Sequence, residues 1–159
     1  FYSYVGSNPD VYRCPEEARD FCIRSYSIFD RLAGGTFSGD YRALTMGEIW
    51  NPSKSICFTD EFDSRGTNRG TYVTRYNRWQ DFPPPSHING ANFSFADGHV
   101  EVYKYDRAGY TGDYECETDE IFQIAMNQKK MFGYTPVTEG GKADVRWVWE
   151  RYLGKKEPK

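Results

Sequence analysis

Histidine is nearly missing from this chain. His87 and His99 are the only two in 159 residues, so imidazole chemistry is confined to the single stretch from Ser86 to Tyr103. The four cysteines, Cys14, Cys22, Cys57 and Cys116, form no C-x-x-C pair, which argues against a zinc-finger framework. No run of residues approaches the roughly 18 apolar positions that span a bilayer, and no signal-peptide pattern opens the chain. There is no G-x-S-x-G or comparable nucleophile motif, and no internal repeat. Charge of one sign is never clustered: lysines and arginines are scattered and the net charge is −3, so a nucleic-acid surface is disfavoured. The first residue is Phe1 rather than Met, and the chain is expected to be a processed or partial product of a longer protein.

What is present in quantity is aromatic. Apolar residues make up only 38% of the chain but Phe, Tyr and Trp reach 18%, so the core is expected to be built from rings. The length suits one domain with a real core. An even cysteine count among many Tyr, Asn and Gly residues suits an oxidising, extracytoplasmic setting. Three pairings of the cysteines are possible, with buried thiols as the alternative. A helix running from Cys14 to Cys22 would hold them about 12 Å apart, beyond the roughly 7 Å that a bridge tolerates. Their pairing would need a loop or a broken turn.

Along the chain, "NPDVYRCPEEARDF" reads as a turn, a short extended piece and one helical turn, with Pro15 in a favoured first position. Strands are expected in "IRSYSIF", over Ser55–Phe58 and in "TYVTRYNRW". "DFPPPS" is a stiff connector that cannot sit inside a sheet. The strongest local signal is "NFSFADGHVEVY", two alternating runs joined by Asp97-Gly98, the favoured pair for a two-residue type I′ hairpin. In that register Phe95 faces Val100 and Phe93 faces Val102. These four form a core face, while Ser94, Ala96, His99 and Glu101 form a wetter one. Further on, "ETDEIFQIAMNQKKMFG" reads as a helix capped by Thr118. "ADVRWVWERYLG" places Val145, Val148, Trp149, Tyr152 and Leu153 on one helical stripe. A strand competes there because Val145, Trp147 and Trp149 alternate, and the position of Trp147 separates the two.

Several groups are candidates for chemistry. His87, His99 and Asp97 are a possible metal set, but no third strong ligand sits at metal-like spacing. The architectural reading is preferred, with Asp97 as turn residue, Gly98 supplying positive φ and His99 starting the return strand. Ser86 or Ser94 with a histidine base, or an acid pair from Asp60, Glu61 and Asp63, lacks a supporting motif, so no catalytic residue is assigned. Asp106, Asp113, Glu115 and Glu117 surround a Gly-rich loop where calcium is conceivable. Otherwise no cofactor or metal is expected. Tyr72, Tyr76, Trp79, Tyr110 and Tyr114 are interleaved with polar residues; packing within a polar-rich fold is the preferred reading, and stacking on a sugar, through Tyr76, Trp79 and Tyr110, is the alternative.

Three landmarks together carry a family resemblance. His87, nine residues, then Asp97-Gly98 followed by His99 resembles the H-X9-DG signature of prepilin-type proteins related to the type II secretion G pseudopilins. "NPDVYRCPEE" resembles that family's segment ending in Cys-Pro, and "NPSKSICFTDEF" its Asn-Pro-Ser-Lys segment leading into a strand. The order agrees over residues 1–105. The resemblance implies an exported globular domain on an antiparallel sheet, preceded in the family by a prepilin peptide and a long apolar helix. No such helix occurs in this chain, and membrane contact is expected only through that absent segment. The extension after residue 105 is expected to cap the sheet surface the helix would otherwise cover.

The expected fold is therefore α+β: a twisted antiparallel sheet of about four to six strands with the Asp-Gly hairpin and peripheral helices. A pseudopilin-like β-rich core would span 1–105, and a helical extension over 106–159 would pack on the same domain. The expected role is that of an extracytoplasmic, non-catalytic structural or adhesion protein. Its partners would be other filament subunits, with no nucleic acid. His87, Asp97, Gly98 and His99 would act as structural signature residues. An extracellular polysaccharide-binding module is the alternative, and a metal-dependent hydrolase ranks third.

Overall fold

The computed structural model of the protein describes residues 6–15, 24–32, 43–61, 71–87, 89–105, 135–136 and 138–152. Four short strands rich in β-branched and aromatic residues carry the architecture. They are β1 (Tyr26–Ile28), β2 (Ile56–Asp60), β3 (Gly90–Phe95) and β4 (Val100–Lys104). They form one sheet in the order β1-β2-β3-β4 with every pairing antiparallel. Among the described residues one α-helix, α1 (Glu139–Glu150), packs on it. The class is mixed α and β.

The β3–β4 register differs by one residue from the two-residue turn that Asp97-Gly98 suggests. Phe93 pairs with Glu101, Ser94 with Val100 and Asn92 with Val102. The connection runs over Ala96, Asp97 and Gly98. Gly98 N–H donates to Phe95 O at 3.0 Å, and Phe95 N–H donates to His99 O at 2.9 Å. Gly98 takes φ +95°, as the last residue of a three-residue connection with a bulge requires. Within this register the rings of Phe95 and His99 stack at 4.2 Å and 8°.

Because side chains alternate across a sheet, a one-residue slip moves a whole set to the other face. Phe93 and Phe95 are buried as expected, together with Ala91, but Val100 and Val102 are not beside them. They share the opposite face with Asn92, Ser94 and Phe58. Val100 is 63% exposed and Val102 58%.

On the inner face, Phe93 and Phe95 join Ile56, Phe29, Tyr72, Trp79, Phe82 and Tyr105 in one cluster. Trp79 is edge-on to Phe82 at 5.3 Å and to Tyr105 at 6.1 Å, while Phe29 stacks on Tyr72 at 4.5 Å and Phe82 on Tyr105 at 5.7 Å, arrangements aromatic quadrupoles favour. The expected strand over 71–79 does not form a ladder. Tyr72 makes one isolated bridge to Phe29. Beyond it, Val73 N–H donates to the Asp81 carboxylate at 2.8 Å and Val73 O accepts from Asp81 N–H at 3.0 Å. The segment closes on its own neighbours, and Pro83–Pro85 follow, without amide donors to extend a sheet.

α1 settles the helix-or-strand choice. Thr138 caps it by accepting from Gly141 N–H at 3.2 Å. Val145 and Val148 are buried in the aromatic cluster, with Tyr152 just past the helix end. Trp147 leaves that stripe and stacks on Tyr103 at 4.1 Å, while the Arg151 guanidinium lies 4.0 Å over its ring. The helix begins at Glu139, earlier than expected, because two glycines obscure its first turn in the sequence. It packs on the inner face of the sheet through Val145 and Val148. The helix expected from Thr118 lies outside the described residues.

Two glycines set the β3–β4 pair. At Gly90 a Cβ would lie 2.2 Å from the Tyr103 carbonyl oxygen. Gly90→Ala is expected to force the strands apart and destabilise by about 1–3 kcal/mol or more. Gly98→Val should cost at least about 1–2 kcal/mol through its left-handed backbone, although nothing crowds that position. His99→Ala should cost less than either. Urea unfolding of the three variants ranks them, and a histidine loss equal to the Gly98 loss would contradict the backbone argument.

Candidate functional site

The three landmark segments converge at one end of the sheet. The first supplies Cys14. Its Asn8 side chain caps a 3₁₀ turn over Pro9–Tyr12 by accepting from Asp10 N–H at 3.0 Å. Tyr12 O then accepts from Ser25 N–H at 2.9 Å, and Cys14 N–H donates to Ser25 Oγ at 2.5 Å. These bonds fix Cys14 beside β1. The second segment supplies Asp60, the last residue of β2, paired with Tyr26 of β1. Glu61 follows, held by its N–H to Ser25 O at 2.9 Å and by the Ser27 hydroxyl, which donates to Glu61 Oε2. The third supplies His87, whose N–H donates to Gly90 O at 3.1 Å as the chain turns into β3.

Here His87 Nε2 lies 2.8 Å from Asp60 Oδ2 and 3.8 Å from Cys14 Sγ. One donor atom from each of the three residues falls within 4.8 Å of the other two. Asp60 is 4% exposed at its side chain and His87 22%, and Cys14 is buried. The Tyr26 phenol is within hydrogen-bond reach of the Cys14 sulfur. Its pKa is pushed up to about 12, first by burial and then by the charges of Cys14 and Asp60.

This geometry limits the chemistry. A Cys-His-Asp relay needs the imidazole to bridge, one nitrogen toward the thiol and the other toward the carboxylate. In this site both partners face the same nitrogen, so the imidazole is not placed to take the thiol proton while the carboxylate orients it. The arrangement can hold an ion pair between His87 and Asp60, or present sulfur, nitrogen and oxygen to a cation.

The two histidines do not come together. His87 precedes β3 and His99 follows it, with the six-residue strand between them. His99 belongs to the turn: its Nδ1 is 2.5 Å from Asp97 Oδ1 and its Nε2 is 3.2 Å from Glu101 Oε1. Asp97 therefore faces His99, not His87. The Ser94 hydroxyl accepts from Phe58 N–H at 3.2 Å on the face opposite His99. Cys14 and Cys57 take part in no disulfide, and Cys22 and Cys116 lie outside the described residues.

Among the rings expected to meet a sugar, Trp79 is fully buried at 0% exposure. It packs between Phe82 and Tyr105, so it offers no face to a ligand; the hydrophobic burial available to an indole outweighed its polar sequence neighbours. Tyr76 is exposed and edge-on to Trp149 at 6.4 Å. Tyr110 and the acidic loop with Asp106, Asp113, Glu115 and Glu117 lie outside the described residues. Sequence reasoning missed the Cys14–Asp60–His87 grouping. Its signal was there, since each landmark contains one of these three residues. Sequence spacing of 46 and 27 positions, by subtraction of the residue numbers, gives no hint that they meet. Comparisons with protein-family models, with curated proteins and with solved structures find no match to this chain.

The Asp97–His99 contact has a titration consequence. Its hydrogen bond holds the His99 pKa above 6.5 and the Asp97 pKa below 3.8. A raised His pKa adds stability below its unfolded value, lost as pH rises through the folded one. A lowered Asp pKa adds stability above its unfolded value, lost as pH falls through the folded one. The pair's contribution is therefore fullest between 3.8 and 6.5. Histidine NMR titration should place His99 above 6.5 and bring it down in Asp97→Asn. An unchanged value in the variant would remove Asp97 as the cause.

Proposed function

We propose that this chain is the exported globular domain of a pseudopilin-like, filament-related surface protein, working through contacts without catalysis. The observation that carries this reading is the outer face of the sheet. One face is sealed by aromatic residues and α1, while the other leaves Phe58, Val100 and Val102 exposed. With Val11, Tyr12, Tyr26 and Ile28, Phe58 and Val100 line an open groove of about 800 Å³. A contiguous apolar face of this kind marks an interaction surface.

The occupant that best fits the resemblance is an apolar helix. A helix with its side chains is about 10–12 Å across, suited to lie along such a face. In the pseudopilin-like arrangement a helix of this type is joined to the globular domain and drives subunit assembly. No helix among the described residues is long and apolar enough to cross a membrane. The glycan-binding alternative loses support with the burial of Trp79.

Two measurements test the reading. The coding sequence upstream of Phe1 should contain a prepilin cleavage site followed by a long apolar helix. In the full-length protein, Val100→Asp with Val102→Asp should abolish incorporation into filaments. The same pair in the isolated chain should change stability by no more than about 1 kcal/mol per site, the span of strand propensity. An upstream sequence without an apolar helix, or normal assembly of the double variant, would end this reading.

A further inference from the structure

The buried grouping of Cys14, Asp60 and His87 is not explained by the outer sheet face, and its chemistry stands independently of the filament reading. A thiol, a carboxylate and an imidazole come from three separate segments and bring one donor atom each within 4.8 Å of the other two. As hydrogen bonding the arrangement is inefficient, because Asp60 and Cys14 both approach the single Nε2 of His87. As ligation it is economical, since each residue has one lone pair to give a cation placed among them. Buried carboxylates are ordinarily paired or coordinated to metals.

Two of the three donor separations can be set against those of a small tetrahedral ion, and the third is within 4.8 Å. With Zn–S of about 2.3 Å and Zn–N and Zn–O of about 2.0–2.2 Å, the sulfur–nitrogen separation is about 3.6 Å and the nitrogen–oxygen separation about 3.3 Å. The observed values are 3.8 and 2.8 Å. Opening the His87–Asp60 contact by about half an ångström would seat the ion. The donor set also selects the metal. Thiolate and imidazole suit zinc and its neighbours, whereas calcium and magnesium take oxygen ligands.

We propose that Cys14, Asp60 and His87 bind one zinc-class divalent ion, which clamps the segment around Cys14 to the end of β2 and to the chain entering β3. Three protein ligands leave the fourth tetrahedral position to water.

The test uses the purified 159-residue chain, stripped with a chelator, loaded with zinc or cobalt alone, and dialysed. One ion per chain should be retained. The cobalt form should show a thiolate-to-cobalt charge-transfer band and the visible bands of a tetrahedral centre. Zinc should raise the melting temperature. Cys14→Ser and His87→Gln should each weaken retention by more than the about 100-fold reached by outer-shell changes, whereas Cys57→Ser and His99→Gln leave it intact. The cobalt spectrum of the unmodified chain decides the matter even if a variant fails to fold. No ion retained by the folded chain, a cobalt form without the thiolate band, or equal retention by Cys14→Ser and His87→Gln would overturn the proposal.

Discussion

The β3–β4 register is the constraint on which the rest of the molecule depends. β3 contributes Ala91, Phe93 and Phe95 to the inner cluster, and its neighbours must supply residues of matching height and chemistry on both faces. With Phe95 opposite His99 and Phe93 opposite Glu101, the valines of β4 turn outward. One register therefore decides both the composition of the core and the character of the outer surface. It is held at one end by the connection through Gly98 and at the other by the close approach of Gly90 to the Tyr103 carbonyl.

The inner face is filled by rings where many domains use aliphatic residues, and this shapes its polar groups. Tyrosines bring hydroxyls into the interior, and two of these join separate elements. Tyr105 donates to Pro83 O at 2.7 Å, and Tyr103 donates to the buried Asp144 at 2.7 Å. The first bond ties the chain after β4 to the proline connector, and the second ties β4 to α1. An aromatic core thus supplies directional contacts between elements as well as area. Arg31 extends the pattern, with its guanidinium over Tyr152 at 4.5 Å and over Trp149 at 5.6 Å.

The Cys14 end of the sheet is organised differently. There the chain uses hydrogen bonds between short irregular segments, through Ser25, Ser27 and Glu61, to bring three reactive side chains together. None of these segments has a ladder of its own beyond the sheet. A clamp at Cys14, Asp60 and His87 would supply at that end what ring packing supplies at the other. The outer groove lies alongside, with Asp60 and Tyr26 common to both. The proposed metal site and the proposed helix-binding face are thus neighbours.

Much of this was legible in the residues themselves. Strand composition located β1, β2, β3 and β4, because alternation and β-branching are local properties. The stripe of Val145, Val148 and Tyr152 located the helix for the same reason. The aromatic content announced the nature of the core. Local pattern misjudged what depended on distant partners. Asp97-Gly98 is compatible with two connections that differ by one residue, and only the packing of Phe95 against His99 and of β3 into the core distinguishes them. The segment from Tyr72 to Trp79 has the composition of a strand, yet its place against Asp81 and the aromatic cluster leaves it without a ladder. The convergence of Cys14, Asp60 and His87 was also beyond the sequence. Sequence determines which groups can donate, accept or ligate; the tertiary structure decides which of them meet, because long-range closeness follows from the register and packing of the whole sheet.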